Sequence, residues 1–174
     1  MPAKLVLMKI LITGTPGTGK SAVAKELGRK LGWKVINERE FCLRKKIGKR
    51  ENGELEVPIG KLGKELRKEF KKSKNLILEG HLLCETKLAA DLAIVLHASV
   101  KELEERLWEK GYGELKILDN IFCEQTGYCS KKALKNYGKK QVLELENGKG
   151  IKEIAARILK EIGKTKAGKK ALKE

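Results

Sequence analysis

Eight residues near the start of the chain carry its clearest chemistry: Gly14-Thr15-Pro16-Gly17-Thr18-Gly19-Lys20-Ser21. Glycine at the first and sixth places, followed by Lys-Ser, is the full P-loop pattern. Gly17 and Gly19 permit backbone angles that a side chain forbids, so amide N–H groups can face phosphate oxygens. A helix beginning near Lys20 aims the positive end of its dipole at the same oxygens. Lys20 is expected to reach the β- and γ-phosphates, and the Ser21 hydroxyl to ligate Mg²⁺.

Three further groups have types and spacings suited to phosphoryl chemistry. Glu79-Gly80-His81 closes an apolar stretch, which gives a candidate Mg²⁺-associated acid and a candidate proton handler two residues apart. Both are expected at the carboxyl end of a sheet, where ligands bind in such folds. Arg106 and Lys110 stand four apart, one helical turn, just ahead of Gly111. Two cations there can clamp transferring phosphates and move with a lid. The competing reading is a charged helix face that pairs with Glu102 or Glu109. His97 has no motif around it and reads as structural.

These residues need a scaffold, and the chain spells one out. Leu5–Thr13 is an apolar run before the glycines, and Val23, Leu27 and Leu31 follow at helical spacing. Trp33–Asn37 predicts a second strand, Glu38–Gly48 a charged helix, and Lys49–Pro58 a polar turn centred on Asn52-Gly53. Ile59, Leu62, Leu66 and Phe70 predict an amphipathic helix. Asn75–Leu78 and Leu92–Leu96 predict two more strands, the latter covered on both faces. Helices follow from Val100 and over roughly 115–137, weakened at Gly127. Gln141–Leu145 predicts a fifth strand, and Ile151–Ile162 a final helix. Strands alternating with helices imply an α/β fold: a three-layer P-loop arrangement, its five-stranded parallel sheet flanked by helices.

Length and composition agree with that. The chain has 174 residues, a length suited to one domain. Hydrophobic residues make up 41% and charged residues 36%, which excludes a disordered chain. No apolar run approaches the roughly 20 residues of a membrane span, and the amino-terminal run lacks the features of a signal peptide. Cys42, Cys84, Cys123 and Cys129 form no CxxC pair and are expected to be free thiols, which places the protein in the reducing cytosol. The net charge is +16, which suits phosphate-bearing partners or a solvated Lys/Glu surface. The Lys-rich end, residues 163–174, supplies +4 and reads as a disordered basic tail. An aromatic content of 5% argues against a stacking platform for single strands. Residues 1–7 are expected to be dispensable, with Met8 an alternative start.

No Asn-Lys-x-Asp base-recognition motif is present, so a GTPase is disfavoured, and a helicase or transporter ATPase needs a longer chain. A small kinase with two mobile segments fits.

At these residues the chain resembles the adenylate kinase isoenzyme 6 family, small adenylate-kinase-like proteins of archaea and eukaryotes. The matching stretches are Gly14–Ser21, Glu79-Gly80-His81, Arg106-Leu107-x-x-Lys110-Gly111-Tyr112 and Lys116-Ile117-x-x-Asn120. The resemblance implies a nucleoside monophosphate (NMP) kinase-like domain over residues 1–162. It implies an NMP-binding segment at about 37–60 and a lid at about 109–119. Gly17, Gly19, Lys20, Ser21, Ala22 and Lys110 would contact ATP. Glu79 and His81 stand where the family has its Walker-B-type acid and nearby histidine, and Arg44 is the candidate for the AMP phosphate. The implied activity is phosphoryl transfer from ATP to AMP and related monophosphates, with ATPase activity besides. The implied partners are a platform protein of the small ribosomal subunit and the pre-ribosomal particle, in late small-subunit maturation and pre-rRNA processing. Many relatives end the fourth strand with Leu-Arg, where this chain has Leu96-His97.

Three functions therefore compete: a Mg²⁺-dependent NMP kinase, a ribosome-assembly ATPase in which His81 orients the attacking water, and another small-molecule kinase on the same fold.

Overall fold

The computed structural model describes residues 8–148 and 150–172. The expectation for residues 1–7 lies outside the described residues. In chain order the elements are β1 (Lys9–Thr13), α1 (Lys20–Leu31), β2 (Lys34–Asn37), α2 (Glu38–Arg44), β3 (Lys49–Glu51), β4 (Glu54–Glu56), α3 (Ile59–Lys72) and β5 (Leu76–Glu79). A short 3₁₀ turn (Leu82–Glu85) follows, then β6 (Leu92–His97), α4 (Val100–Glu109), α5 (Glu114–Gln125), α6 (Tyr128–Tyr137), β7 (Val142–Glu146), α7 (Ile151–Lys164) and α8 (Lys166–Ala171).

Five strands form one sheet in the order β2-β5-β1-β6-β7. Every pairing in it is parallel, so the α/β three-layer P-loop fold is present. The central strand β1 is buried along its whole length. Its alternate residues point to opposite faces. Ile10 and Ile12 join Val23, Leu27, Ile154 and Ile158 of α1 and α7 in one core. Leu11 joins Phe41, Leu62, Leu66 and Ala133 in the other. That double burial explains the consecutive apolar residues Ile10, Leu11 and Ile12. A small third cluster, Leu103, Leu107 and Ile117, ties α4 to α5.

Four local features differ from the expectations. The polar turn at 49–58 is a β3–β4 hairpin, with Asn52 at φ 49° and Gly53 at φ 81°. Positive φ at both central residues is the signature of the hairpin turn that Asn-Gly favours. The expected helix over 38–48 stops at Arg44, because Lys46 and Gly48 take positive φ. The stretch over 115–137 is two helices, broken where Gly127 adopts φ 63°. The Lys-rich end is not a disordered tail as far as residue 172. Thr165 caps α8 by accepting the Gly168 N–H at 2.8 Å, and Ala171 is buried against the α1/α7 core.

Candidate active site

The parallel sheet brings four strand ends to one edge. β1 runs into the P-loop, β2 ends at Asn37, β5 at Glu79 and β6 at His97. Asn37 and Glu79 are register partners. Both Asn37 Nδ2 and Ser21 Oγ donate to Glu79 Oε1, the latter at 2.9 Å. Ser21 sits in the first turn of α1, so helix and strand hold the carboxylate jointly. An exposed hydroxyl and a buried carboxylate so paired form a hard-oxygen donor set, which is the chemistry Mg²⁺ selects. The residues present therefore fit that ion.

Lys20 is 8% exposed, and its Nζ donates to the Thr15 carbonyl at 2.9 Å. Burial pushes its pKa down, opposed by Glu79, Cys129 and Glu38, while the nearby Lys110 pushes the same way as burial. The two cations thus face a common space, as a polyphosphate requires.

A cavity of about 710 Å³ opens at this edge. Gly17, Gly19, Lys20, Ser21, Ala22, Glu79, His81 and Lys110 all line it, so the structure brings these sequence-picked residues together. Its far walls come from the β3–β4 hairpin (Glu54, Leu55) and from α5 (Lys116, Asp119, Asn120). Lys116 Nζ, which also lies over the Tyr112 ring, donates to Glu54 Oε1 and so joins α5 to the hairpin. A second cavity of about 670 Å³ shares Gly17, Gly19 and Lys110 and adds Arg106, Asn147 and Ile151.

Arg106 lies in that second cavity rather than the first. Its Nη1 donates to the Gly17 carbonyl at 3.3 Å, and its Nη2 to Glu102 at 3.2 Å. The Glu102 pairing is the charged-face reading of Arg106, and the Gly17 bond sets its guanidinium against the P-loop backbone. Arg44 lines neither cavity. It is exposed, and its guanidinium stacks 5.6 Å from the Phe41 ring. Arg39, on the same short helix, lines the first cavity instead. His81 donates its Nδ1–H to the Gly14 carbonyl at 3.2 Å, and Thr13 Oγ1 donates to the His81 carbonyl at 3.1 Å. A carbonyl partner assigns that tautomer. Burial, then Lys20, lowers the His81 pKa, so the ring is neutral near pH 7. All four cysteines are free thiols, with Cys42, Cys84 and Cys129 buried.

Two groups of site residues carry no sequence motif. Glu38, directly after β2, is 8% exposed and lines the first cavity. Burial pushes its pKa up to about 7, against the pull of Lys20. An acid directly following a strand end was the one available signal. The other group surrounds His97, whose Nδ1 bonds Glu124 at 2.8 Å and whose Nε2 bonds Glu144 at 3.0 Å. Glu124 also accepts the Thr15 hydroxyl, so the network reaches the P-loop. The reading of His97 as structural gains content here: it fastens α5 and β7 beside the phosphate loop.

The His97 network makes a pH prediction. The Glu124 hydrogen bond, against burial, raises the His97 pKa above its usual 6.5. Burial alone would raise the Glu124 carboxyl, but its bonds from His97 and Thr15 hold it below 4.5. A raised histidine pKa gives stability that is full below 6.5 and is lost as pH rises through the folded value. A depressed carboxyl gives stability that is lost as pH falls through its own folded value. H97Q is therefore expected to cost roughly 1–2 kcal/mol between about pH 5 and 6.5, with the deficit shrinking above neutrality. Urea unfolding of both proteins across pH 5–9 measures it.

Comparison with known proteins agrees with the geometry. Residues 10–127 match the family described as "AAA domain". A Pyrococcus furiosus protein named "Putative adenylate kinase" is 43% identical over 153 residues, 87% of this chain and 82% of that protein. A Thermococcus kodakarensis protein of the same name is 39% identical, covering 87% and 84%. Shikimate kinase from Acinetobacter baumannii in complex with shikimate superposes with TM-score 0.66 at 16% identity, covering 93% of this chain and 96% of that one. Thymidylate kinase from Candida albicans gives 0.62 at 16%, covering 93% of each. These structural likenesses concern the fold. Fold, site and relatives together define a P-loop phosphotransferase. Within that class, the chain belongs to the adenylate-kinase-like family of its archaeal relatives. Among the described residues, no helix is long and apolar enough to cross a membrane.

Proposed function

We propose that this protein transfers the terminal phosphate of ATP to AMP or a related monophosphate, as a member of the isoenzyme 6 branch, and also hydrolyses ATP. One observation carries the reading: the P-loop, Ser21–Glu79, the hairpin and α5 all wall a single cavity. ATP lies on the P-loop, with its base side toward Arg106 and Asn147. Lys20 and Lys110 offset charge developing on the transferring group. Ser21 and Glu79 hold Mg²⁺ or its waters, and the bound ion supplies neutralisation and orientation of the β- and γ-oxygens. In-line attack then needs positioning more than covalent chemistry.

The NMP-binding segment, residues 37–60, and the lid, residues 109–119, supply the moving walls. Arg39 takes the acceptor-phosphate role expected of Arg44, because Arg39 is the arginine of α2 that faces the cavity. A part in late small-subunit maturation, with a platform ribosomal protein as partner in the cytoplasm, rests on the resemblance and on the +16 charge, which suits proximity to rRNA.

The test is an assay of ADP and phosphate release from Mg·ATP with and without AMP, then with the ribosomal protein added. AMP-stimulated ADP formation is the expected result. Absence of ADP under every condition overturns the reading.

A further inference from the structure

The Leu82 and Leu83 backbone amides hydrogen-bond the Glu38 carboxyl group, yet among the described residues its Oε2 is the one buried side-chain oxygen or nitrogen left without a partner of its own. Leaving such an acceptor unsatisfied is costly, and each native instance calls for an explanation. Its location supplies one. Glu38 lines the cavity between the P-loop and the acceptor segment. Oε2 lies against Gly80, where a Cβ would sit 2.3 Å from it. Only a glycine beside Glu79 leaves room for a second carboxylate at this strand edge. The terminal torsion of a glutamate is broad, so small rotations present either oxygen to the cavity.

The chemistry of the nucleophile decides what this carboxylate is for. The phosphate of a monophosphate acceptor is anionic and already deprotonated. It gains nothing from a proton acceptor and is repelled by two adjacent carboxylates. A neutral water is different, because it has a proton to give and hydrogen bonds to donate. His81, whose Nδ1–H donates to the Gly14 carbonyl, keeps an unprotonated Nε2 and is the other acceptor lining this cavity, but of the two only Glu38 has a buried oxygen left unpaired.

We propose that Glu38 is the catalytic carboxylate for ATP hydrolysis, holding the attacking water by accepting its hydrogen bond. The water oxygen forms the new bond to the γ-phosphorus, and the bond from that phosphorus to the β,γ-bridging oxygen breaks. ADP leaves with the bonding pair, and the water's proton passes to the Glu38 carboxylate and then to solvent. The proposal rests on the phosphotransferase reading above and assigns within it the residue that separates hydrolysis from transfer.

The experiment compares wild type with Glu38→Gln, which keeps shape and an acceptor oxygen but cannot take a proton. Two rates are read from γ-labelled ATP with Mg²⁺: inorganic phosphate release without acceptor, and label transfer to AMP. Their ratio, hydrolysis over transfer, is expected to fall by at least about tenfold in E38Q. A smaller fall overturns the proposal, as does equal loss of both rates, the pattern of a Mg²⁺ ligand or a structural residue. A wild type that transfers label to AMP but releases no phosphate without it also overturns this proposal and leaves the kinase reading standing. A wild type that binds Mg·ATP and forms no ADP in either arm overturns the kinase reading itself. If E38Q does not fold, Glu38→Asp, which withdraws the carboxylate by one methylene, must lower the same ratio by at least about tenfold.

Discussion

Replacing Lys20 with alanine is expected to lower phosphoryl transfer by roughly 10²–10³-fold while the protein stays folded. The size follows from position. The Lys20 ammonium is buried at the start of α1, at the positive end of the helix dipole, so it acts from a low-dielectric position. Charge neutralised there is worth far more than in solvent. Stability responds differently. Nζ bonds the Thr15 carbonyl, and that oxygen also accepts from the Thr18 amide at 3.3 Å and the Thr18 hydroxyl at 2.9 Å. Losing the lysine therefore orphans no acceptor, and the ammonium it removes is one that burial disfavours. Urea unfolding should place the variant within about 1 kcal/mol of wild type. Undiminished transfer by a folded K20A protein removes Lys20 from the mechanism and takes the P-loop reading with it.

Gly14→Ala should do the reverse and strike the fold first. Gly14 adopts φ +140°, and a Cβ there would lie 2.3 Å from the Leu96 carbonyl oxygen. That oxygen belongs to β6, next to β1 in the sheet, and backbone cannot swing aside as a flexible side chain does. Backbone strain alone costs about 1–3 kcal/mol, and relieving the collision parts the P-loop from β6. A total near 3 kcal/mol lowers the melting temperature by roughly 6–12 °C in a chain of this length. Mg·ATP affinity should fall with it, since the loop is displaced. Gly32→Ala is the control. Gly32, which closes α1 and lines neither cavity of the site, also has positive φ, +66°, but nothing lies within 4 Å of its added Cβ. It should cost about 1 kcal/mol and leave nucleotide affinity unchanged. Calorimetry and nucleotide titration of the two variants separate collision from conformation.

The parts legible from the sequence are those written in local geometry. The P-loop encodes its own backbone, and β6 announces double burial by an unbroken apolar run, Leu92–Leu96. Glu79 was found because it closes such a run. Arg44 and Arg39 show where this stops. They lie five residues apart, about 140° around a helix, so only one can face the cavity. α2 spans Glu38–Arg44, too short for apolar periodicity to give its phase. Glu38 escaped notice for another reason. An acid just past a strand end reads as solvated, and its burial comes from Gly80 and the 3₁₀ turn, distant in sequence. The Lys-rich end misled by composition. Its lysines are mostly exposed, and α8 is held by Ala171 and the Thr165 cap, two small signals among many charges.

The bridge between Lys116 and Glu54 has a kinetic corollary. Both side chains are about half exposed, so the contact contributes at most ~1 kcal/mol and weakens as electrolyte rises. It is strong enough to bias α5 toward the hairpin and weak enough for thermal motion to undo. Ionic strength therefore acts as a throttle on how long α5 and the hairpin stay joined. Where release of ADP limits the cycle, dilute buffer should slow turnover and moderate salt should quicken it.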